Sequence, residues 1–152
     1  MSSAQTPPDR PETANPTPAR ILMIEDDLPL AATLSKHLKA RGHDVRVAPS
    51  AEDAANVIRS GYRPTIVLLD INLPGDSGWG FLRSGVLAAA GSPPVYVVSA
   101  TAVPPSRLRE FDCAGYLPKP FAVPTLVEIV ERHHSEADGA ESTSPQGGID
   151  AF

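Results

Sequence analysis

Three consecutive acids, Glu25, Asp26 and Asp27, follow the apolar run Ile21-Leu22-Met23-Ile24. A fourth, Asp70, closes PTIVLLD, the most apolar stretch of the chain. Ser99 ends PVYVVS, and Lys119 follows GYLP. If these groups meet, their chemistry is narrow. Clustered carboxylates repel, and each raises the pKa of its neighbours. A hard divalent cation relieves that crowding, and carboxylate and carbonyl oxygens suit Mg²⁺. Magnesium keeps part of its water shell, which leaves room for a phosphate oxygen, and its charge lets a phosphoryl group approach a carboxylate. Asp70 could then act as a nucleophile and become an aspartyl phosphate. Lys119 would pair with phosphoryl oxygens as a point charge, and Ser99 would donate a hydrogen bond to another.

For the groups to meet, the elements between them must bring the ends of separate apolar runs to one edge. RILMIED reads as a buried strand with a polar stop. Leu28, Ala31, Leu34 and Leu38 share one helical face, and Gly42 ends that run. HDVRVA is a less apolar strand, suited to a sheet edge. Ser50 is placed as an N-cap, and Ala51, Ala54, Ala55 and Ile58 line a second helix closed by Gly61. Trp79, Leu82, Val86 and Ala89 predict a third helix after Asp70. PVYVVSA is a fourth strand, and a short helix follows Pro104-Pro105. GYL makes a fifth strand, and Val123, Leu126, Val127 and Val130 face inward from a last helix. Five strands alternating with five helices predict a parallel sheet covered on both faces. Ligands of such sheets bind beyond the carboxyl ends of the strands. Glu25, Asp26, Asp70, Ser99 and Lys119 all fall there, whereas the second strand ends in Ala48-Pro49.

Composition sets the frame. The chain has 152 residues, 17 of them proline, 41% hydrophobic and 20% charged, enough for one domain with polar ends. Residues 1–18 hold five prolines and no Ile, Leu, Val or Phe, so they are expected to be a disordered tail, as are residues 135–152. The folded unit is then 19–134. The single cysteine, Cys113, excludes an internal disulfide framework. No apolar run is long enough to span a bilayer, and the start lacks the apolar core of a secretory signal, so a cytoplasmic protein with no membrane partner is expected. A net charge of -5 without a basic stripe argues against direct nucleic-acid binding.

IEDD, LLDINLPGDSGW, VVSA and GYLPKPF, in that order and at these separations, resemble the receiver domain of two-component response regulators. The resemblance covers the whole folded unit and is similar to the single-domain chemotaxis type. It implies a flavodoxin-like doubly wound sheet of order 2-1-3-4-5. It implies that Asp70 is the phosphoacceptor, served by a histidine kinase or histidine phosphotransfer protein with Mg²⁺. Asp26 would hold the metal directly and Glu25 through water, with the main-chain carbonyl of Asn72 as a further ligand. Ser99 would be the switch hydroxyl, Tyr116 the switch aromatic and Lys119 the family's lysine, with a cis bond to Pro120. No output domain is expected after residue 134, so signalling would pass to a protein partner. Two departures stand out: Gly115 replaces the usual acid before Tyr116, and the segment from Ser99 to Lys119 is short.

Plainer roles compete for several of these residues. Asp27 is best read as the N-cap of the first helix. Tyr116 suits half-buried packing as well as a switch. His37, His43, His133 and His134 are read as exposed, Cys113 as a packing residue, and Trp79 as packing at the start of the third helix. Among whole functions, a receiver used for binding without phosphorylation is the first alternative. A flavodoxin-like electron carrier would need a hydroxyl- and glycine-rich phosphate loop where this chain has Glu-Asp-Asp. A metal-dependent phosphohydrolase would need a second acid where Asn72 stands.

Overall fold

The computed structural model describes residues 18–75 and 77–143, with side chains through His133. The elements run β1 (Arg20–Ile24), α1 (Leu28–Ala40), β2 (Asp44–Ala48), α2 (Ala51–Arg59), β3 (Ile66–Asp70) and α3 (Gly78–Arg83). After a 3₁₀ turn (Val86–Ala90) come β4 (Val95–Ser99), α4 (Pro105–Glu110), β5 (Gly115–Pro118) and α5 (Val123–Thr143). The strands form one parallel sheet of order β2-β1-β3-β4-β5, the doubly wound arrangement the alternating pattern predicts.

Alternation along β1 builds two cores. Leu22 and Ile24 point to one face with Val67, Leu69 and Val97, covered by α2 and α3. Ile21 and Met23 point to the other with Leu68 and Val98, covered by α1 and α5. Full burial of an aliphatic side chain contributes about 1.5–3 kcal/mol, so the central strands are the rigid part of the molecule. β3 is buried along its whole length, which fixes where Asp70 emerges.

Helix ends follow local chemistry. Asp27 caps α1 by accepting from the Leu30 N–H at 3.0 Å, and Ser50 caps α2 through the Asp53 N–H at 3.1 Å. Leu28, expected on the buried face of α1, is 55% exposed. It is the first helical residue and lies at the upper rim, while Ser35 joins Ala31, Leu34 and Leu38 on the inner face.

The third helix is broken. α3 ends at Arg83 with Ser84 as its C-cap, Gly85 adopts φ 78°, and the chain continues as the 3₁₀ turn. That left-handed step costs glycine little and ends an α-helix. It rotates the apolar face, so Phe81, Leu87 and Ala90 are buried and Ala89 is exposed.

α5 continues to Thr143, past residue 134 where the folded unit was expected to end. Glu136, Ala137, Ala140 and Glu141 are good helix formers, so the backbone carries on without an apolar stripe. The expectations for residues 1–17 and 144–152 lie outside the described residues.

α4 is short, and none of its residues is buried. Trp79 and Phe111 stack with ring centroids 5.3 Å apart, and the Arg107 guanidinium lies 4.9 Å from the Trp79 ring centre. Such a pair contributes about 0.5–1.5 kcal/mol beyond its buried area, which makes it a main attachment of α4 to α3.

The glycine before Tyr116 has a packing reason. The Tyr96 ring lies over Gly115 on the neighbouring strand, and a Cβ there would come within 2.5 Å of it. Tyr96 in turn meets the edge of His133 on α5 at 4.9 Å.

Candidate functional site: an acidic cluster around a shared lysine

β1, β3 and β4 deliver the predicted groups to one edge. Glu25 follows β1 directly, its amide donating to the Ala48 carbonyl at 3.0 Å, so its side chain stays in the sheet layer and is 4% exposed. Asp70 is the last residue of β3 and is also 4% exposed. Ser99 ends β4 and is 1% exposed. Lys119 lies just past β5, its amide donating to the Ser99 carbonyl at 2.9 Å, and its bond to Pro120 is cis.

The lysine is the hub. Its Nζ donates to Glu25 Oε1 at 2.9 Å and to Asp70 Oδ2 at 3.0 Å. The second oxygen of each acid is also used. Glu25 Oε2 accepts from the Asp27 N–H at 3.0 Å, and Asp70 Oδ1 accepts from the Asn72 N–H at 2.8 Å. Asp26 is exposed, and no described residue donates to its carboxylate. Carboxylate oxygens of Glu25, Asp26 and Asp70 lie within 4.8 Å of one another.

Two buried carboxylates share one ammonium, with a third carboxylate close by, and the electrostatics follow. Burial pushes the Glu25 carboxyl above its ordinary value; the Lys119 bond and the Asp27 amide resist this, and the Asp70 charge adds to it. Burial alone would lower the Lys119 pKa, but bonds to Glu25 and Asp70 and their charges hold it above the ordinary value. Lys119 therefore stays charged at neutral pH. One cation does not neutralise three acids, and the donor set is all hard oxygen, so the cluster fits a small divalent ion. Asp26, with both oxygens free of described donors, is the acid best able to ligate directly.

Beside the acids lies a hydroxyl network that sequence reasoning saw only in part. Ser99 Oγ and Thr101 Oγ1 are 3.0 Å apart, and the Thr101 N–H donates to Ser99 Oγ at 3.0 Å. The Asn72 side-chain amide reaches both hydroxyls at 3.4 Å. Tyr116 Oη donates to the Thr101 carbonyl at 3.1 Å. Thr101 was not singled out; its one sequence signal is a second hydroxyl two residues after Ser99. Asn72 is exposed at the rim of the acidic site, with its amide N–H committed to Asp70.

The other candidates separate from the site. Asp27 serves α1 as its N-cap. His43, expected to be exposed, is buried at the opposite end of the sheet. Its Nδ1 accepts from the Ala19 N–H at 3.0 Å, and its Nε2 lies 3.2 Å from Glu131 Oε2. A turn histidine between Gly42 and Asp44 carries no apolar pattern to announce that burial. His37 is exposed and His133 half-buried, while the His134 side chain lies outside those described. Cys113 packs half-buried behind α4, where burial pushes its thiol up to about 11.

A family profile described as response regulator receiver domain matches residues 21–131. Response regulator MprA of Mycolicibacterium vanbaalenii is 33% identical over an alignment of 129 residues that covers 81% of this chain and 54% of that protein. The chain thus spans about half the length of the curated relatives it matches. A CheY-like response regulator receiver domain protein from Methanospirillum hungatei is similar in structure with a TM-score of 0.74 at 21% identity, over 81% of this chain and 98% of that chain. A response regulator from Burkholderia pseudomallei, solved with a phosphorylated aspartic acid, a calcium ion and citrate, is similar with a TM-score of 0.66 at 22% identity, over 82% of this chain and 74% of that one. At these identities the solved structures speak to fold.

Proposed function

This chain belongs to the response regulator receiver domain family of two-component signalling, and from that premise we propose that it takes a phosphoryl group onto Asp70. The donor is the phosphohistidine of a histidine kinase or histidine phosphotransfer protein, and the reaction uses Mg²⁺. The observation that carries this reading is the placement of Asp70: buried at the end of β3, 3.0 Å from the Lys119 ammonium, with two more carboxylates within 4.8 Å.

A carboxylate oxygen of Asp70 attacks the phosphorus and forms a P–O bond. The bond from phosphorus to the donor's imidazole nitrogen breaks, and its electron pair stays on that nitrogen. Asp26, Asp70 and the Asn72 carbonyl would hold Mg²⁺, with Glu25 reaching it through water; the ion supplies positive charge between the acids and the incoming phosphoryl oxygens. Lys119 leaves its bridge between Glu25 and Asp70 to pair with a phosphoryl oxygen. Ser99, whose hydroxyl lies beside the site, donates to another, and Tyr116 responds through Thr101.

The surroundings suit a protein donor. Leu30, Leu34, Ala100, Pro120, Phe121 and Val123 line an apolar hollow beside Lys119. A partner helix carrying the phosphohistidine could seat its apolar face there. In this reading residues 19–134 are the receiver unit, it works in the cytoplasm, and its output goes to a protein. Among the described residues no helix is long and apolar enough to cross a membrane.

Acetyl phosphate with Mg²⁺ tests the proposal. The wild-type chain should gain one phosphoryl group, mapped by peptide analysis to Asp70, and Asp70→Asn should gain none. Label mapped to any other residue would overturn it.

A further inference from the structure

Among the described residues, α4 is the one helix that buries none of its own side chains. Its position is set from its two ends. At the amino end, the Tyr116 hydroxyl holds the Thr101 carbonyl at 3.1 Å, and Val103 is buried. At the carboxyl end, Phe111 stacks on Trp79 of α3 at 5.3 Å, with planes 22° apart. Arg107 of α4 lies over both rings, 4.9 Å from Trp79 and 5.6 Å from Phe111. Arg83 of α3 lies 5.6 Å from the Phe111 ring. Arg107 is also paired to Glu110 within α4 at 3.0 Å, so it moves with that helix.

Both attachments lead back to the acidic site. Trp79 follows Gly78, whose amide donates to the Ile71 carbonyl at 2.9 Å. A Cβ at Gly78 would sit 2.8 Å from the Asp70 carbonyl oxygen, so the start of α3 rests directly on the end of β3. At the other attachment, Ser99 Oγ holds the Thr101 amide and hydroxyl, each at 3.0 Å.

We infer that Trp79, Phe111 and Arg107 form a latch that holds α4 on α3 in the resting receiver and opens when Asp70 is phosphorylated. This rests on the phosphoacceptor reading above. A phosphoryl group on Asp70 draws the Ser99 hydroxyl toward itself and away from Thr101. The loop before α4 then loses one of its anchors and shifts with Ser99, and that shift draws α4, with Phe111 and Arg107, off Trp79. A stacked pair capped by a guanidinium is either seated or not, so it gives α4 two discrete positions that a modest bias can exchange.

Trp79 is the single tryptophan of the chain, so its emission reads the latch directly. In the full chain, beryllofluoride with Mg²⁺ should shift Trp79 emission to the red and increase its quenching by acrylamide. Asp70→Asn should show neither change. Phe111→Ala should resemble the beryllofluoride-treated protein from the start and respond no further. Arg107→Met keeps both rings and should move the resting emission in the same direction, which covers the case in which Phe111→Ala folds poorly. If acetyl phosphate adds one phosphoryl group at Asp70 while Trp79 emission and quenching stay unchanged, the latch is wrong and the phosphoacceptor reading stands. If no phosphoryl group reaches Asp70, both fall.

Discussion

At the carboxyl ends of the strands Lys119 is shared between Glu25 and Asp70, with Asp26 close by; at the amino ends Glu131 is shared between Arg41 and His43. Both clusters join distant parts of the chain, yet their balance differs. Below, one carboxylate meets a two-pronged guanidinium, at 2.7 and 2.8 Å, and an imidazole whose other nitrogen already holds the Ala19 amide. Every strong group there has a partner, and the Arg41 bond leads in holding the Glu131 carboxyl below its ordinary value. Above, two buried acids share one ammonium with a third acid beside them, and burial drives the Glu25 carboxyl the opposite way. A stable fold would gain by replacing such a site with a balanced one. Its presence at the sheet edge where ligands of this architecture bind marks it as a place where stability is given up for chemistry.

The largest effects should fall on that chemistry and leave the lower cluster untouched. Asp70→Asn should abolish phosphoryl gain from acetyl phosphate, read by intact mass, whereas Glu131→Gln should keep it. Lys119→Ala should slow the gain by about 10²-fold, the scale seen when one charge-stabilising donor is removed. A mutant at Glu131 that lost phosphorylation as fully as Asp70→Asn would erase the distinction between the two ends.

Metal comes next. Mg²⁺ should raise the melting temperature of the wild type, with stabilisation of about 2.7 kcal/mol when the ion is at a hundred times its dissociation constant. Asp26→Asn should lose most of that rise, since Asp26 is the exposed acid with no described donor on its carboxylate. Glu131→Gln should retain it. Thermal melts with and without chelator decide the matter.

A smaller effect, of opposite sign to most mutations, concerns the metal-free protein. Asp70→Asn leaves one lysine facing one buried acid instead of two, and should stabilise the fold by about 1 kcal/mol in chelator at neutral pH. The Glu25 pKa is raised in the folded state, so its protonated form adds stability that is full below the ordinary value of 4.5 and is lost as pH rises through the folded value. The advantage of Asp70→Asn should therefore shrink as pH falls toward 4.5, because protonation relieves the wild type by the same route. A mutant less stable than wild type at neutral pH would mean the acids are not crowded.

How legible each cluster was depends on where its residues lie. Glu25, Asp26 and Asp70 end apolar runs, and alternating strands and helices leave one edge for them to share; the sheet and the upper site could be read from pattern alone. Arg41, His43 and Glu131 interrupt no pattern, and their meeting depends on how far α5 passes the α1–β2 turn. The broken third helix was missed for a local reason: Gly85 sits where the apolar spacing of Trp79, Leu82 and Val86 continues, and nothing in that spacing reveals a φ of 78°. Thr101 escaped because its part is played by a carbonyl and a hydroxyl in a loop. Gly115 was visible as a departure, but its reason lies in Tyr96 on the neighbouring strand.

The gentlest test of the comparison is the pH dependence of Glu131→Gln. In the folded protein the Arg41 hydrogen bond is the first cause holding the Glu131 carboxyl below its ordinary value, with His43 adding to it. A depressed carboxyl contributes stability above its unfolded pKa of 4.5 and loses it as pH falls through the folded value. Glu131→Gln should therefore melt below wild type at neutral pH, and the gap should close under acid. Because Arg41 and Glu131 are both substantially exposed, salt should shrink the gap, and it should be smaller than the gain in Asp70→Asn. Acid thus erases a loss at the lower cluster and a gain at the upper one. Melting curves of the two variants against wild type, from neutral pH to about 4 in chelator, should converge from opposite sides; a balanced ion pair and a crowded acid site respond to protons with opposite sign.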